Sequence, residues 1–452
     1  MQKHEVVIIG GGGGGLTAAL AAKKTSYDTN VTLITKDPLS YSPCALPFVI
    51  SGEIDSFERI SKRIEDICRN SGITCVIDEA LGIDTKKKAV KTRKSEFRYT
   101  SLIIATGGTP LIPPIKGTHL KNVYTLYRLE DAEKIMDAAK NAKSAVVVGG
   151  GAIGLEAAAA LIESGLKVTL IEGLEYVLSK ALDADYSQAV ENKLAENGIE
   201  LIKGINVEEI TGASRVESVK VAGKEIQADM VIMVTGLRPN VKIAESAGIE
   251  TLKGCIKTDE YMESGVKGVF AAGDCAITKS LITGKPAPGL LGTIAIRQGT
   301  VAGMNSVGER EVFENVLGAM ILRIFDIEVG RTGITEKEAK SEGMETVTGK
   351  IKSTTTAEYY PKGKGIEVKL IFNAADKRIV GAQAIGGGGV AGKINLLTLA
   401  IAKNMTVDDL IRMEYCYTPP LAPSHNPIVL AAENAYRKMK RLAERDKRLG
   451  KA

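Results

Sequence analysis

EVVIIGGGGGGLTAALAAKKTSYDTNVTLIT, residues 5–35, decides the fold. A β-branched run ends at Gly10, a helical run of Leu and Ala follows, and a second β-branched run closes at Ile34. That is the β-α-β order of a dinucleotide-binding unit. Within the glycines, Gly10, Gly12 and Gly15 fit G-x-G-x-x-G in the strand–turn–helix setting the motif needs. The first glycine makes the tight turn. The second lets a pyrophosphate approach the backbone, and the third lets helix and strand pack closely. The phosphate then rests on the helix N-terminus. A merely flexible loop would need no flanking β-α-β.

Residues 144–172, SAVVVGGGAIGLEAAAALIESGLKVTLIE, repeat the arrangement with Gly149, Gly151 and Gly154. Glu172 ends the second strand, where an acid can accept hydrogen bonds from an adenosine ribose. Two fingerprints imply two dinucleotides, and a flavin that takes hydride from a nicotinamide is the economical pair. Two more stretches fit FAD at the first site. "LIIATGG", 102–108, is a buried strand running into a tight turn at Thr106 and Gly107. "GVFAAGDCA", 268–276, ends a strand at Gly273-Asp274, where the Asp can bond ribityl hydroxyls. The plain alternative for Asp274 is a helix N-cap, and for Cys275 a small buried residue.

Composition narrows the class. A chain of 452 residues exceeds one hydrophobic core, so two to four domains are expected. The net charge of +5 is too small for a nucleic-acid binder and suits an anionic small-molecule substrate. The N-terminal apolar stretch is broken by glycines and reads as neither signal peptide nor membrane span. Cys44, Cys68, Cys75, Cys255, Cys275 and Cys416 form no C-x-x-C pair and have no histidine cluster, so no metal site is expected. The six read as reduced thiols in a cytoplasm.

The order of two glycine fingerprints, "ATGG", "TGLRPN" (235–240), "AAGD" and "LLGTIAIRQGTVAG" (290–303, with Ala295) resembles the pyridine nucleotide-disulfide oxidoreductases across nearly the whole chain. The resemblance implies an α/β protein with two Rossmann-like domains. FAD-binding segments 1–114 and 238–314 flank an inserted NAD(P)H-binding domain, 115–237, and residues 315–452 form an α/β dimerisation domain. "FDIEVGRTGITEKEA" (325–339) resembles the opening of that last domain.

"SYSPCALPFVISG", 40–52, chooses the branch. Two-cysteine members such as glutathione reductase carry C-x-x-x-x-C, but position 49 is Val49. The stretch resembles the single-cysteine branch: coenzyme A-disulfide reductases, persulfide and polysulfide reductases, NADH oxidases and NADH peroxidases. That implies that Cys44 is the redox thiol beside the flavin. Pro43 suits a first helical turn, which would place Cys44 at the positive end of the dipole and favour thiolate. The plain alternative is a packing cysteine. Peroxidases and many water-forming oxidases carry a histidine where this chain has Gly13, which argues against peroxide chemistry. In coenzyme A-disulfide reductases, tyrosines of "YYP" and "AYAPP" stretches reach the partner subunit's cysteine. "EYYPKG" (358–363) and "YCYTPPLAP" (415–423) match, giving Tyr359 and Tyr417. Either could be an interface tyrosine with a solvated hydroxyl. Two residues depart from the pattern: Thr35 replaces the usual ribose-binding Glu, and Ala152 replaces a flavin-shielding aromatic.

The resulting reading is an enzyme in which NADH, rather than NADPH, reduces FAD. Cys44 thiolate attacks a coenzyme A-type disulfide, persulfide or polysulfide, and the mixed disulfide is then reduced. The second sulfur must come with the substrate. Ser40, Arg59, Lys62 and Arg63 are the candidate substrate contacts; the three cations lie in "FERISKRIED", read as a helix, and could hold coenzyme A phosphates or form a solvated face. The alternatives are an NADH:oxygen oxidase and a non-enzymatic NADH-sensing flavoprotein. The expected assembly is a homodimer or a dimer of dimers. The basic tail "YRKMKRLAERDKRLGK" reads as a solvated terminal helix rather than a membrane anchor.

Overall fold

The structure, a computed structural model, describes residues 4–448. Contacts divide the chain into two units: residues up to 142, with 232–280 and 284–316, and residues 143–231, with 281–283 and from 317 onward.

In the first unit, five parallel strands run in the order Val269–Ala271, Ser101–Ile104, Glu5–Ile9, Asn30–Thr35 and Thr74–Ile77. Val6 to Ile9 and Leu102 to Ile104 are buried without alternation. A parallel sheet covered on both faces requires such continuous apolar runs. Helices Gly13–Thr25 and Gly292–Ser306 pack so closely that a Cβ on Gly299 or Gly303 would overlap the carbonyl oxygens of Gly14 and Ala18.

In the second unit, Ser144–Val148, Lys167–Glu172 and Glu200–Lys203 form a parallel core, with helix Ala152–Glu163 after the first strand. Beyond it lies an antiparallel sheet ordered Met320–Ile324, Ile327–Gly333, Ile379–Gly386, Gly365–Asn373 and Thr346–Thr354. Helices Val390–Ala402 and Pro427–Arg448 contribute buried side chains to its core. Lys369, 3 % exposed, joins this sheet to the parallel half through Asp183 at 3.0 Å and Asp185 at 3.2 Å, and meets Glu336 at 2.5 Å. Gln383 adds two hydrogen bonds to Asp183, at 3.0 and 2.6 Å. Lys369 and Asp183 are buried and Glu336 half-buried, each with an opposite partner, the condition under which buried ions are tolerated.

The basic tail is the end of helix Pro427–Arg448; Leu449–Lys451 lie outside the described residues. Among the described residues, no helix is long and apolar enough to cross a membrane, and no group of His, Cys, Asp or Glu could hold a metal ion.

Candidate active site

At the first glycine loop, strand Glu5–Ile9 ends because the chain turns at Gly10, whose φ is +111°. A Cβ there would overlap the Ala105 carbonyl oxygen. Gly15 lies against Gly10, and a Cβ on it would overlap the Gly10 oxygen. Gly12 faces open space, with no atom within 4 Å of where a Cβ would be. Helix Gly13–Thr25 starts there with no side-chain cap and no acid in its first turn. Its leading N–H groups are thus left for an anion.

Asp274 follows strand Val269–Ala271 in a turn that no helix continues, which removes the N-cap reading. It is half-buried, burial pushes its carboxyl up, and no described residue donates to it. The buried Gln298 accepts from Gly273 N–H at 2.8 Å, while its Nε2 has no partner among the described residues. Ala295 is buried against Gly14, and Leu290 and Ile296 are exposed apolar side chains close by in sequence. Open backbone, an unpartnered acid and uncovered apolar surface fit a flavin dinucleotide. Cys275 is buried, its thiol 3.4 Å from the Ile104 and Ala272 oxygens, so it packs. Asn240 of "TGLRPN" fastens the 106–109 turn. It takes a bond from Thr109 Oγ1 at 2.8 Å and donates to the Thr106 oxygen at 3.0 Å. Thr35 is buried, with its hydroxyl donating to the Asp37 oxygen at 3.1 Å.

The cysteine segment is a strand, Leu39–Tyr41, a tight turn, Pro43–Ala45, and a short helix, Leu46–Ile50. Leu46, Pro47, Val49 and Ile50 anchor it in the interior, and Cys44 is left exposed. Cys68, Cys255 and Cys275 are buried, and burial pushes Cys68 up to about 12 and Cys255 to about 11. Such thiols are poor nucleophiles at neutral pH. Exposure thus separates Cys44 and Cys416 from the packing cysteines. Lys62 and Arg63 depart from the expected helix: Ser61–Arg63 is a strand, because it pairs with Leu39–Tyr41, placing Lys62 opposite Ser40, while Arg59 ends the short helical turn Phe57–Arg59. Arg59 pairs with Asp55 at 2.6 Å and Arg63 with Glu65 at 2.9 Å, whereas among the described residues no such ion pair engages Lys62.

At the second loop, Gly149 turns at φ +117° and Gly151 faces open space. Gly154 is buried in the helix that follows. Glu172 accepts from Gly150 N–H at 2.6 Å and Leu174 N–H at 2.8 Å, so its carboxylate is fixed beside the loop. Leu174 and Ile205 are exposed apolar residues near it, joined by the Gly204 N–H to Leu174 oxygen bond of 2.8 Å. Ala152 opens the helix with no aromatic cover of its own.

Tyr359 and Tyr417 meet, their hydroxyl oxygens 2.7 Å apart. The Ala357 N–H to Pro419 oxygen bond, 3.0 Å, holds the two loops together. The rings are 74 % and 47 % exposed, so the pair is presented outward. The hydrogen bond to Tyr359 holds the Tyr417 phenol above its ordinary value. Cys416, next to it, is exposed.

The profile described as "Pyridine nucleotide-disulphide oxidoreductase" matches residues 4–299, and that of the family's dimerisation domain matches 321–427. The chain belongs to this family. It is therefore an α/β oxidoreductase of the kind that binds a flavin and NAD(P)H and carries a dimerisation domain. An NADH oxidase of Methanocaldococcus jannaschii is 39 % identical over 93 % of this chain and 96 % of its own. An NAD(P)H sulfur oxidoreductase (CoA-dependent) of Pyrococcus abyssi is 35 % identical over 90 % of this chain and 92 % of its own. The solved NAD-dependent persulfide reductase of A. fulgidus superposes with a TM-score of 0.94 at 35 % identity, covering 97 % of this chain and 84 % of that one. Sequence reasoning passed over Asn240 and Gln298, although each lies in a stretch that stands out, "TGLRPN" for Asn240 and "LLGTIAIRQGTVAG" for Gln298.

Proposed function

We propose that the chain is an FAD- and NADH-dependent reductase of coenzyme A-type disulfides, persulfides or polysulfides, with Cys44 as its redox thiol. The meeting of the Tyr359 and Tyr417 hydroxyls carries this reading. Two phenols 58 positions apart converging at one point suit the protonation of a departing thiolate. The sulfur-reductase names of the P. abyssi and A. fulgidus relatives support the same class. Oxygen reduction is the second reading, favoured by the name of the M. jannaschii relative. Gly13 counts against a built oxygen or peroxide site, since glycine offers no acid or base.

In the proposed scheme FAD lies along Gly10, Gly12 and Gly15, with Thr106, Gly107, Asp274 and Ala295 completing its site. NADH lies along Gly149, Gly151 and Gly154, its ribose on Glu172. FAD-binding segments 1–114 and 238–314, an NAD(P)H-binding domain 115–237 and a dimerisation domain 315–452 divide the work. A bound flavin supplies the electron pair, relayed from the nicotinamide. The Cys44 thiolate attacks one sulfur of R–S–S–R, forming Cys44–S–S–R and expelling R–S⁻, which a tyrosine hydroxyl protonates. Two electrons and a proton then free R–SH and restore the thiolate. Lys62, with Ser40, is the contact proposed for substrate phosphate; Arg59 and Arg63 must first leave Asp55 and Glu65, exposed pairs that exchange at small cost.

The test is anaerobic NADH oxidation with coenzyme A disulfide, its persulfide and polysulfide, then the same assay in air. Cys44→Ser should keep FAD and dye reduction by NADH, because hydride transfer needs no sulfur, and lose sulfur-acceptor reduction by at least about a hundredfold. Wild-type rates in that variant would sink the assignment.

A further inference from the structure

Tyr127 lies where strand Val123–Thr125 passes into helix Leu129–Ala139. Its backbone is fixed: the N–H groups of Tyr127 and Arg128 both donate to Asp131 Oδ2 at 3.0 Å. Its side chain reaches the 106–108 turn. A Cβ on Gly107 would lie 3.7 Å from its hydroxyl. The charge of Asp274 also acts on this hydroxyl. Burial first, then that charge, keeps the phenol protonated. None of the hydrogen bonds among the described residues takes the proton it holds.

The neighbours of Tyr127 hold the cysteine segment. Arg128 Nη1 pairs with Asp37 at 3.2 Å, and Leu129 N–H donates to the Tyr41 hydroxyl at 3.2 Å. Helix Leu46–Ile50, just past Cys44, packs on helix Leu129–Ala139. Residues 127–129 therefore touch both the turn beside Asp274 and the strand that leads to Cys44.

We propose that Tyr127 is a flavin-binding residue, its hydroxyl donating a hydrogen bond to the flavin dinucleotide between the 106–108 turn and Asp274. This rests on the flavin site proposed above. The hydroxyl is the only part of the side chain that points to this role, since the ring alone could be packing. With residues 127–129 fixed to Asp37 and Tyr41, the same contact sets the flavin against the cysteine segment.

The test compares Tyr127→Phe and Tyr127→Leu with wild type, by FAD titration of the apoprotein, visible flavin absorption and apoprotein melting. Phe keeps the ring and Leu keeps apolar fill, so only the hydroxyl is lost from both. Both should bind FAD roughly three- to tenfold more weakly, with a shifted flavin band. The Phe apoprotein should melt as wild type does. If Phe matches wild type in affinity and spectrum, or only Leu weakens binding, the hydroxyl does not reach the flavin and the inference falls. If wild type binds no flavin, the proposed site itself fails, a different outcome.

Discussion

Gly12→Ala should separate folding from cofactor binding, and Gly15→Ala should not. Gly12 has φ −71° and ψ −175°, a conformation alanine adopts without strain. A methyl there meets no atom within 4 Å. Reduced freedom of the unfolded chain favours the variant by about 0.4–1 kcal/mol, while alanine is a poorer N-cap than glycine by a comparable amount. The apoprotein should therefore stay within about 1 kcal/mol of wild type, a Tm change of roughly 2–4 °C at most for a domain of this size. In the FAD site proposed above, the same methyl stands where the diphosphate approaches the helix N-terminus. Losing two charge-assisted bonds from backbone N–H groups costs about 3–6 kcal/mol, on the order of a hundredfold to ten-thousandfold in FAD affinity. Gly15→Ala instead drives its Cβ into the Gly10 carbonyl, overpacking the strand–helix contact by about 3 kcal/mol or more. Differential scanning of the apoproteins and FAD titration read the two effects separately. A Gly12→Ala protein that binds FAD within threefold of wild type, or that melts with Gly15→Ala, would refute the division of labour between these glycines.

NADH should be preferred over NADPH by at least about tenfold in kcat/KM, because the fixed Glu172 carboxylate repels a 2′-phosphate and Gly173 supplies no cation; equal efficiencies would contradict this. Glu156, in the helix after the second glycine loop, is pushed up to about 7 by burial, opposed by the Arg323 N–H and charge. A carboxyl raised in the folded state loses stability as pH rises from its unfolded value to about 7. Glu156→Gln should thus gain on wild type by about 1–3 kcal/mol between pH 5 and pH 8, discounted for partial exposure, and an offset identical at both pH values would argue against it. The resemblance implies, and we propose, that Tyr359 and Tyr417 serve Cys44 of the partner subunit. Mixing Cys44→Ser with Tyr359→Phe/Tyr417→Phe chains should then restore activity above either parent, and verified heterodimers without recovery would exclude a shared site.

The glycine fingerprints were legible in the sequence because the constraint is local. A turn at positive φ, an open backbone face and a tight helix start all fall within six residues, Gly10 to Gly15, and the β-α-β around them follows from periodicity alone. The absent partner at Val49 was legible for the same reason. The tyrosines came through resemblance, since nothing local says that Tyr359 and Tyr417 meet. Other features only the tertiary structure decided. "FERISKRIED" carries helical spacing, yet residues 61–63 are a strand because 39–41 offers backbone partners, and sheet pairing outweighs a weak helical preference. Asp183 and Gln383 are 200 positions apart, and Tyr41 and Leu129 are 88. Such bonds form only after distant segments pack, so no window of sequence records them. Cys44 and Cys68 are the same residue type, but one is exposed and one is buried with its thiol pushed up to about 12. That difference is solvation, which belongs to the folded chain and not to the letter.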